Sequence, residues 1–212
     1  KARKKVKIIA VAEAEKNKFT CLEKNEAIHF SDAMKLTDVS EIDVIVELVG
    51  GDTFARAFVI EALKKGKHVV TANKALLAKY GNEIFKTAEE NNVTVGFEAA
   101  VAGGIPILKV LREGLTANRI DWIAGIINGT TNYILSEMEA RGITFEKALK
   151  EAQDFGFAEA DPTLDIEGYD SAHKLALLAS MAFGTKLNLD KVLVGGITNL
   201  DLREVIYAKK LG

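Results

Sequence analysis

The 212-residue chain is long enough to bury a sizeable core as one domain or two, since 48% of its residues are hydrophobic. Its formal net charge of −2 gives no electrostatic reason to expect a nucleic-acid partner or an anionic membrane surface. No segment approaches the ~20 consecutive apolar residues that a membrane-spanning helix needs, and the lysine-rich start lacks the apolar region of a signal peptide. The single cysteine, Cys21, cannot form an internal disulfide, so we expect a cytoplasmic protein.

Strand-like and helical patterns alternate over the first hundred residues. This alternation, with short connections, predicts an α/β fold in which helices pack on a parallel sheet. Because the apolar runs are uninterrupted, we expect the sheet to be buried on both faces. The predicted strands cover residues 6–11, 43–49, 68–71 and 93–97, and the predicted helices cover residues 31–36, 53–65 and 74–91.

A nucleotide-binding sheet of this kind normally opens with a strand and the motif Gly-x-Gly-x-x-Gly. The backbone amides of that turn hold a pyrophosphate at a helix N-terminus. The motif does not occur in this sequence, whose first glycine is Gly50. We therefore expect the chain to be a fragment that lacks the first strand and its glycine-rich turn.

Candidate cofactor contacts lie at two predicted strand ends, where open parallel sheets gather their ligands. Val49 ends one predicted strand and Gly50-Gly51 follows it, whereas Thr71-Ala72-Asn73-Lys74 follows the next strand. The glycines at the first strand end either form only a tight turn or let a nucleotide approach the backbone, and both interpretations stay open. Lys74 begins a helix, and a cation is mildly unfavourable at the positive end of the helix dipole. Its position therefore suggests a functional role.

The choice between NAD and NADP is also open. Glu13 and Glu15, after the first predicted strand, are placed to bond an adenosine ribose. Lys16 is placed to meet a 2′-phosphate instead. These opposing cues predict NADP or NAD without deciding between them.

The second half has an α+β pattern, and we divide the chain into domains 1–104 and 105–212. Pro106 suits the first turn of a helix predicted over residues 107–115. The apolar run 120–127 is typical of a strand and ends in Asn128-Gly129-Thr130-Thr131-Asn132, which taken alone is a turn and helix cap. Further helices are predicted over residues 132–140 and 144–155, a strand over 192–200, and a last helix through Lys210 capped by Asp201 and Glu204.

An acidic loop followed by an apolar helix occupies residues 158–184, with Gly184 as a helix stop. The absence of charge from residues 175–183 predicts that most of the helix circumference is buried. Asp170 and Lys174 are four residues apart at the helix entrance and so share a face. The plain interpretation is an ordinary ion pair at a helix start. The alternative is a lysine oriented toward the acidic loop for chemistry.

Four separated motifs, taken in order, resemble those of homoserine dehydrogenases. The segment Glu159-Ala160-Asp161-Pro162, continued by Asp165, Gly168, Asp170 and Lys174, is similar to the substrate-binding and catalytic segment of that family. The runs 62–74, 96–106 and 125–135 are similar to its lysine motif, its cation loop and its substrate-domain motif.

The resemblance implies a Rossmann-like nucleotide domain, here incomplete, followed by an α+β substrate-binding and dimerisation domain. It also implies interconversion of L-homoserine and L-aspartate 4-semialdehyde with NAD(P)(H), in threonine and methionine biosynthesis. In such a reaction the cofactor carries the hydride, and the protein transfers a proton at the substrate oxygen.

The resemblance assigns catalytic and binding roles by position. Lys174 would transfer the proton, and Asp170 would orient its ammonium group. Glu159 and Asp165 would bind the substrate α-ammonium group through charge-assisted hydrogen bonds. Lys74 would contact the cofactor, the substrate or both.

A monovalent cation, Na⁺, is implied by the same family. The ligands carried over by position would be the Glu98 carboxylate and the backbone carbonyls of Val101, Gly103 and Ile105, which are the oxygen donors that hard cations prefer. The family also suggests a homodimer formed through the substrate domain.

Two alternatives compete with this interpretation. A sugar or cyclitol dehydrogenase fits the Gly-Lys-His-Val-Val stretch, but such enzymes usually carry Glu-Lys-Pro where this chain has Asn73-Lys74-Ala75. A non-catalytic fragment retained for subunit association is the second alternative. It is supported by the absent glycine-rich turn and by the end of the chain at Gly212, before the C-terminal part of the family pattern.

Overall fold

The protein is described here by a computed structural model that covers residues 6–14 and 27–212. The chain divides into two compact units, residues 1–105 and residues 106–212. The functional roles that we gave to domains 1–104 and 105–212 stay predictions. Within the described ranges, no helix has both the length and the apolar character required to cross a bilayer.

The first unit has parallel strands that alternate with helices, which confirms the α/β prediction. Two strands form one small sheet, and three strands form a second sheet in the order β3-β4-β5. Strand β2 was not predicted, because a run of three residues is too short to give a periodic signal. The strands are β1 (Ala10–Ala12), β2 (Ile28–Phe30), β3 (Val44–Glu47), β4 (His68–Thr71) and β5 (Val95–Gly96), and the helices are a 3₁₀ segment (Ala33–Asp38), α1 (Thr53–Lys64) and α2 (Lys74–Glu90).

Among the described residues, the side chains of β3 and β4 are buried on one face of the sheet and exposed on the other, so the prediction of burial on both faces was wrong. Side chains alternate along a strand, and Ile45 and Glu47 of β3 are buried whereas Val46 is 60% exposed. Val70 of β4 is exposed in the same way. Helix α1 contacts both β3 and β4 and also packs against α2. The apolar composition of a run indicates a strand, but it does not indicate whether a second layer covers both faces of the sheet.

The second unit is helical, and neither strand predicted for it is present. Residues 120–127 and 192–200 are irregular, because a strand requires a hydrogen-bonded neighbour and no described segment pairs with either. The helices are α3 (Ile107–Lys109), which continues into a π-helical turn (Val110–Gly114), α4 (Gly129–Arg141), α5 (Phe145–Asp154), α6 (Thr163–Ile166), α7 (Tyr169–Phe183) and α8 (Leu202–Leu211), with short 3₁₀ segments at Glu98–Ala100 in the first unit and Leu189–Lys191 in the second.

Helices α4 and α5 form a hairpin that carries the core of the second unit. Gly142 ends α4 with φ of 62°, a left-handed conformation that glycine adopts without steric cost. Arg141 bridges the hairpin, since its guanidinium lies 2.7 Å from Glu137 and also pairs with Glu151. The buried apolar cluster consists of Ile134, Met138, Phe145, Ala148, Ala152, Ala158 and Ile166.

Helix α7 starts after Gly168 and ends at Gly184, whose φ of 62° confirms the predicted stop. The buried residues of the helix are distributed around most of its circumference: Asp170, Ala172, His173, Ala176, Leu177 and Leu178. From residue 175 to residue 183, only Leu175 and Phe183 are exposed, at 40% and 45%. The prediction that most of the circumference is buried is therefore confirmed.

The loop that leads into α7 is packed tightly against a later segment of the chain. Ile197 donates a backbone hydrogen bond of 2.8 Å to the Ile166 carbonyl. A Cβ atom added to Gly196 would lie 2.9 Å from that same carbonyl oxygen, and one added to Gly168 would lie 2.8 Å from the Gly195 carbonyl oxygen. These glycines allow two backbone segments to approach more closely than a side chain would permit.

Candidate active site

Lys174 and Asp170 form a partly buried ion pair on the first turns of α7. Lys174 Nζ lies 2.6 Å from Asp170 Oδ2, and the two side chains are 17% and 6% exposed. Lys174 Nζ also donates a 2.7 Å hydrogen bond to the backbone carbonyl of Ile127. An ammonium group has three N–H donors, so these two bonds fix its direction and leave a third donor for another acceptor.

Asn128 links this ion pair to the acidic loop. Its Nδ2 donates to Asp170 Oδ2 at 2.8 Å and to Asp165 Oδ1 at 2.7 Å. Its Oδ1 accepts from the backbone N–H of Thr131 at 2.8 Å, which makes Asn128 the N-cap of α4. The buried side-chain amide of Asn128 therefore connects the start of α4 to the start of α7.

Asp165 is the second carboxylate in this cluster, which we call the lysine cluster (Ile127, Asn128, Thr130, Asp165, Asp170, Lys174). Asp165 Oδ2 lies 2.9 Å from the Thr130 hydroxyl oxygen, which also lies 2.8 Å from the Phe157 carbonyl oxygen. A hydroxyl has one hydrogen, so these two bonds are alternatives. The substrate-binding role predicted for Asp165 stays a prediction.

Glu159 is exposed, and the hydrogen bonds described for the lysine cluster do not include it. Gln153 Nε2 donates to the Glu159 backbone carbonyl at 3.2 Å, which anchors the loop that carries this residue. Asp161, two residues later, accepts from the Thr163 hydroxyl at 2.6 Å and from the Thr163 backbone N–H at 3.1 Å. These bonds from Thr163 lower the pKa of the Asp161 carboxyl below its ordinary value.

At the end of β3 in the first unit, a buried carboxylate organises the loop that follows. Glu47 is fully buried, and its Oε1 accepts from the backbone N–H groups of Val49 at 2.8 Å and Gly50 at 3.1 Å. Its Oε2 accepts from the Thr71 hydroxyl of β4 at 2.5 Å. The amides of Val49 and Gly50 are thus already engaged, so any cofactor contact predicted for these residues would use other atoms.

The loop after β4 is tied to the loop after β3 by Asn73. Asn73 Nδ2 donates to the Gly51 carbonyl at 2.6 Å, and its Oδ1 caps α2 by accepting from Leu76 N–H at 3.0 Å. Lys74 is the first residue of α2 and is half-buried. The two loops are therefore joined by a hydrogen bond at the carboxyl ends of the strands, and we call this pair of loops the bonded edge. Open parallel sheets bind their ligands at this end of the strands.

The predicted cation ligands lie in a tight turn at the end of the first unit. Ala102 and Gly103 both have positive φ, 58° and 56°. Two backbone bonds of this turn are accepted by the carbonyls of Glu98 and Ala102. The cation ligation predicted for Glu98, Val101, Gly103 and Ile105 stays a prediction. Among the described residues, no group of three His, Cys, Asp or Glu side chains is placed to hold a metal ion.

Glu13, which we considered for ribose binding, follows β1 and donates its backbone N–H to the Phe30 carbonyl at 3.0 Å. Glu15, Lys16 and Cys21 lie outside the described residues. The choice of NADP or NAD stays a prediction.

Two family models match nearly the whole chain. The model described as homoserine dehydrogenase matches residues 106–212, and the model described as the homoserine dehydrogenase NAD-binding domain matches residues 1–98. The chain belongs to the homoserine dehydrogenase family. This membership excludes the alternative of a sugar or cyclitol dehydrogenase.

Individual homoserine dehydrogenases agree with the family models. The enzyme of Pseudomonas aeruginosa is 62% identical over 172 residues, covering 81% of this chain and 40% of that protein. The enzyme of Bacillus subtilis is 44% identical over 207 residues, covering 98% of this chain and 47% of that protein. The chain thus spans less than half the length of these curated relatives.

Solved structures of the family share the fold. The homoserine dehydrogenase of Thiobacillus denitrificans superposes with a TM-score of 0.91 at 53% identity, covering 96% of this chain and 47% of that one. A hyperthermophilic archaeal homoserine dehydrogenase in complex with NADPH superposes with a TM-score of 0.75 at 30% identity, covering 88% of this chain and 57% of that one.

Sequence reasoning did not select three residues that the structure gives clear roles. Asn128 and Thr130 lie in the run that resembles the family's substrate-domain motif, and taken alone they indicate a turn and cap. Neither pattern reveals that their side chains meet Asp165 and Asp170. Glu47 had a usable signal, since a carboxylate inside an apolar strand that precedes two glycines requires hydrogen-bond partners.

Proposed function

We propose that the protein carrying this chain interconverts L-homoserine and L-aspartate 4-semialdehyde with NAD(P)(H). The observation that carries this proposal is the geometry of Lys174, whose ammonium is aimed by Asp170 at 2.6 Å and by the Ile127 carbonyl at 2.7 Å. A lysine held by two acceptors, with one donor left over, suits proton transfer at a substrate oxygen.

Bound NAD(P)(H) supplies or accepts the hydride at the substrate carbon. In the reductive direction, the third N–H of Lys174 donates its proton to the aldehyde oxygen of L-aspartate 4-semialdehyde, which becomes the hydroxyl of homoserine. Lys174 then takes a proton from water to restore its ammonium. In the oxidative direction the neutral amine accepts the hydroxyl proton. Asp170 keeps the nitrogen in place during both steps.

Substrate binding is assigned to the acidic side chains of the second unit and to Lys74. Glu159 and Asp165 bind the α-ammonium group of the amino acid through charge-assisted hydrogen bonds. The exposure of Glu159 supports this assignment, because an exposed carboxylate remains available to a ligand. Lys74 contacts the cofactor, the substrate carboxylate or both, as the family resemblance implies.

The cofactor is NADP or NAD, held at the bonded edge formed by the loops after β3 and β4, with Val49, Gly50 and Lys74 among its contacts. NADPH is the first candidate to test, because one relative of known structure is named as a complex with it. We also assign Na⁺ to Glu98, Val101, Gly103 and Ile105, a set of one carboxylate and three backbone carbonyls, because hard cations prefer oxygen donors of this kind.

A homodimer and a cytoplasmic location complete the proposal. Trp122 and Ile126, in the irregular segment 120–127, are 75% and 79% exposed. Exposed apolar side chains in one segment are typical of a surface that a partner covers, and a second copy is the partner that the family resemblance suggests. Sedimentation equilibrium of wild-type protein and Trp122→Ser would test this association, with a weaker dimer expected for the variant.

The decisive experiment is an NADPH-oxidation assay with L-aspartate 4-semialdehyde, run beside an NADPH fluorescence titration. We expect turnover and micromolar binding for the protein that carries this sequence. Binding without turnover would reject the catalytic proposal for the chain. Absence of both would favour the alternative of a non-catalytic fragment retained for subunit association.

A further inference from the structure

The orientation of the Asn128 side-chain amide is determined by its hydrogen bonds with Thr131. It is 6% exposed, and its Oδ1 accepts from both the Thr131 backbone N–H at 2.8 Å and the Thr131 hydroxyl at 3.0 Å. A backbone N–H can only donate, so the oxygen of the amide must face Thr131 and the NH₂ group must face the opposite side. The α4 cap therefore fixes the direction of the two remaining donors.

The two N–H groups of the Asn128 amide both donate to carboxylates. Asn128 Nδ2 lies 2.7 Å from Asp165 Oδ1 and 2.8 Å from Asp170 Oδ2. An amide NH₂ has two hydrogens, and each is taken by one acid. Asn128 thus holds two like-charged groups at defined places around a single nitrogen, where their mutual repulsion would otherwise move them apart.

Asp170 Oδ2 is shared between Asn128 and Lys174. The same oxygen accepts from Asn128 Nδ2 at 2.8 Å and from Lys174 Nζ at 2.6 Å. Lys174 is held a second time by the carbonyl of Ile127, the residue directly before Asn128. One turn, residues 127–128, therefore positions both the ammonium and the carboxylate of the ion pair.

We propose that Asn128 is a positioning residue for the proton transfer that we assign to Lys174, an inference that rests on the proposed function. Asn128 acts through Asp170: it fixes the carboxylate that aims the ammonium and does not touch the reacting atoms itself. Its function is thus separable from its role as the N-cap of α4, because the cap uses Oδ1 and the positioning uses Nδ2.

The variant Asn128→Ser separates the two roles. Serine is as good an N-cap as asparagine, but its hydroxyl is too short and has too few donors to serve both Asp165 and Asp170. We expect kcat to fall about tenfold to a hundredfold, because small misplacements of reacting groups have effects of that order. We expect the solvent deuterium isotope effect on kcat to rise, since proton transfer becomes slower, while KM for NADPH stays unchanged.

Two further variants make the test decisive. Asn128→Asp keeps the cap oxygen and the size but replaces both donors with an acceptor, so it should lose at least as much kcat as the serine variant. Thr144→Ala removes the cap of α5, which accepts from Lys147 N–H at 3.4 Å, and should lower Tm without changing the isotope effect.

A folded Asn128→Ser protein with wild-type kcat and isotope effect would overturn the inference. So would a loss of kcat that follows the loss of folded protein at a constant isotope effect, because that result would assign Asn128 to the cap alone. An inactive wild-type protein would instead reject the proposed function, and a Tm scan of each variant identifies misfolding in either case.

Discussion

Lys174 Nζ donates a 2.7 Å hydrogen bond to the backbone carbonyl of Ile127, a residue 47 positions earlier in the chain. A carbonyl acceptor cannot be removed by side-chain substitution, and it does not titrate. The ammonium therefore has one permanent acceptor in Ile127 and one ionisable acceptor in Asp170. This combination directs the lysine whatever the protonation state of the acid.

Replacement of Lys174 by alanine should abolish turnover while the fold is retained. Loss of one proton-transfer group typically lowers the rate by about 10²–10⁴. The fold should survive because Asp170 keeps its hydrogen bond from Asn128 and is not left unpaired. The measurement is kcat for NADPH oxidation, with circular dichroism as the check on folding.

Lys150→Ala is the matched control for this substitution. Lys150 also pairs with an acid four residues away on a helix, at 2.8 Å from Asp154, but both side chains are exposed. We expect wild-type kcat for that variant. An active Lys174→Ala enzyme would refute the proton-transfer assignment.

Replacement of Glu47 by alanine should destabilise the first unit strongly. One buried donor, the Thr71 hydroxyl, and two partly buried donors, the Val49 and Gly50 N–H groups, would lose their acceptor. An unsatisfied buried donor costs about 1–3 kcal/mol, so the free energy of unfolding should fall by at least that amount. Glu47→Gln retains one acceptor oxygen and should lose less.

Urea unfolding measures the effect of Glu47, and Glu61→Ala provides its control. Glu61 forms an ion pair with Lys65 at 3.1 Å near the surface, and ion pairs of this kind contribute little to stability. Equal losses in the two alanine variants would show that the buried carboxylate does not organise the strand-end loops.

Met138→Ala should destabilise the second unit through its core. Met138 of α4 is fully buried in the apolar cluster that includes Ile134 and Phe145. Truncation of a buried methionine leaves a cavity and typically costs about 2–5 kcal/mol. Calorimetric unfolding should show the loss, whereas Leu211→Ala, at an exposed site, should fall within about 0.5 kcal/mol of wild type.

Helix α8 should lose stability at low pH through its cap. Hydrogen bonds from Arg203, first through its side chain and then through its backbone N–H, lower the pKa of Asp201 from 3.8 to about 2. A depressed pKa in the folded state means that the ionised cap stabilises the protein above the unfolded pKa. That stabilisation disappears as the pH falls from about 4 through 2.

The difference in Tm between wild type and Asp201→Asn measures this effect. We expect a constant difference above pH 5 that shrinks toward zero near pH 2, because asparagine does not titrate. A difference that is independent of pH over this window would mean that the Asp201 charge does not stabilise α8.

Local features of the fold were predictable from sequence. The capping box of Asp201 and Glu204 is present as predicted, because both residues act within one helical turn. The ion pair of Asp170 and Lys174 follows from spacing on a single helix. These features depend only on neighbours in the chain, and a linear pattern contains that information.

Features that depend on distant partners were not predictable. The segment 120–127 has strand composition but is irregular, because pairing requires a neighbour that composition does not specify. Asn128 was recognised as a cap, and its donors to Asp165 and Asp170 lie 37 and 42 residues away. A cap motif predicts what an oxygen accepts locally, but it leaves the partners of the amide nitrogen undetermined.

The close backbone contact between Gly196 and the Ile166 carbonyl has a consequence for protein engineering. The acidic segment 158–184 depends on a later part of the chain for its packing. Residues 194–198 pack against its turn, and Ile197 donates a backbone hydrogen bond to it. A graft of this segment into another scaffold would have to transfer both pieces, with Gly196 unchanged, if the transplanted lysine is to keep its alignment.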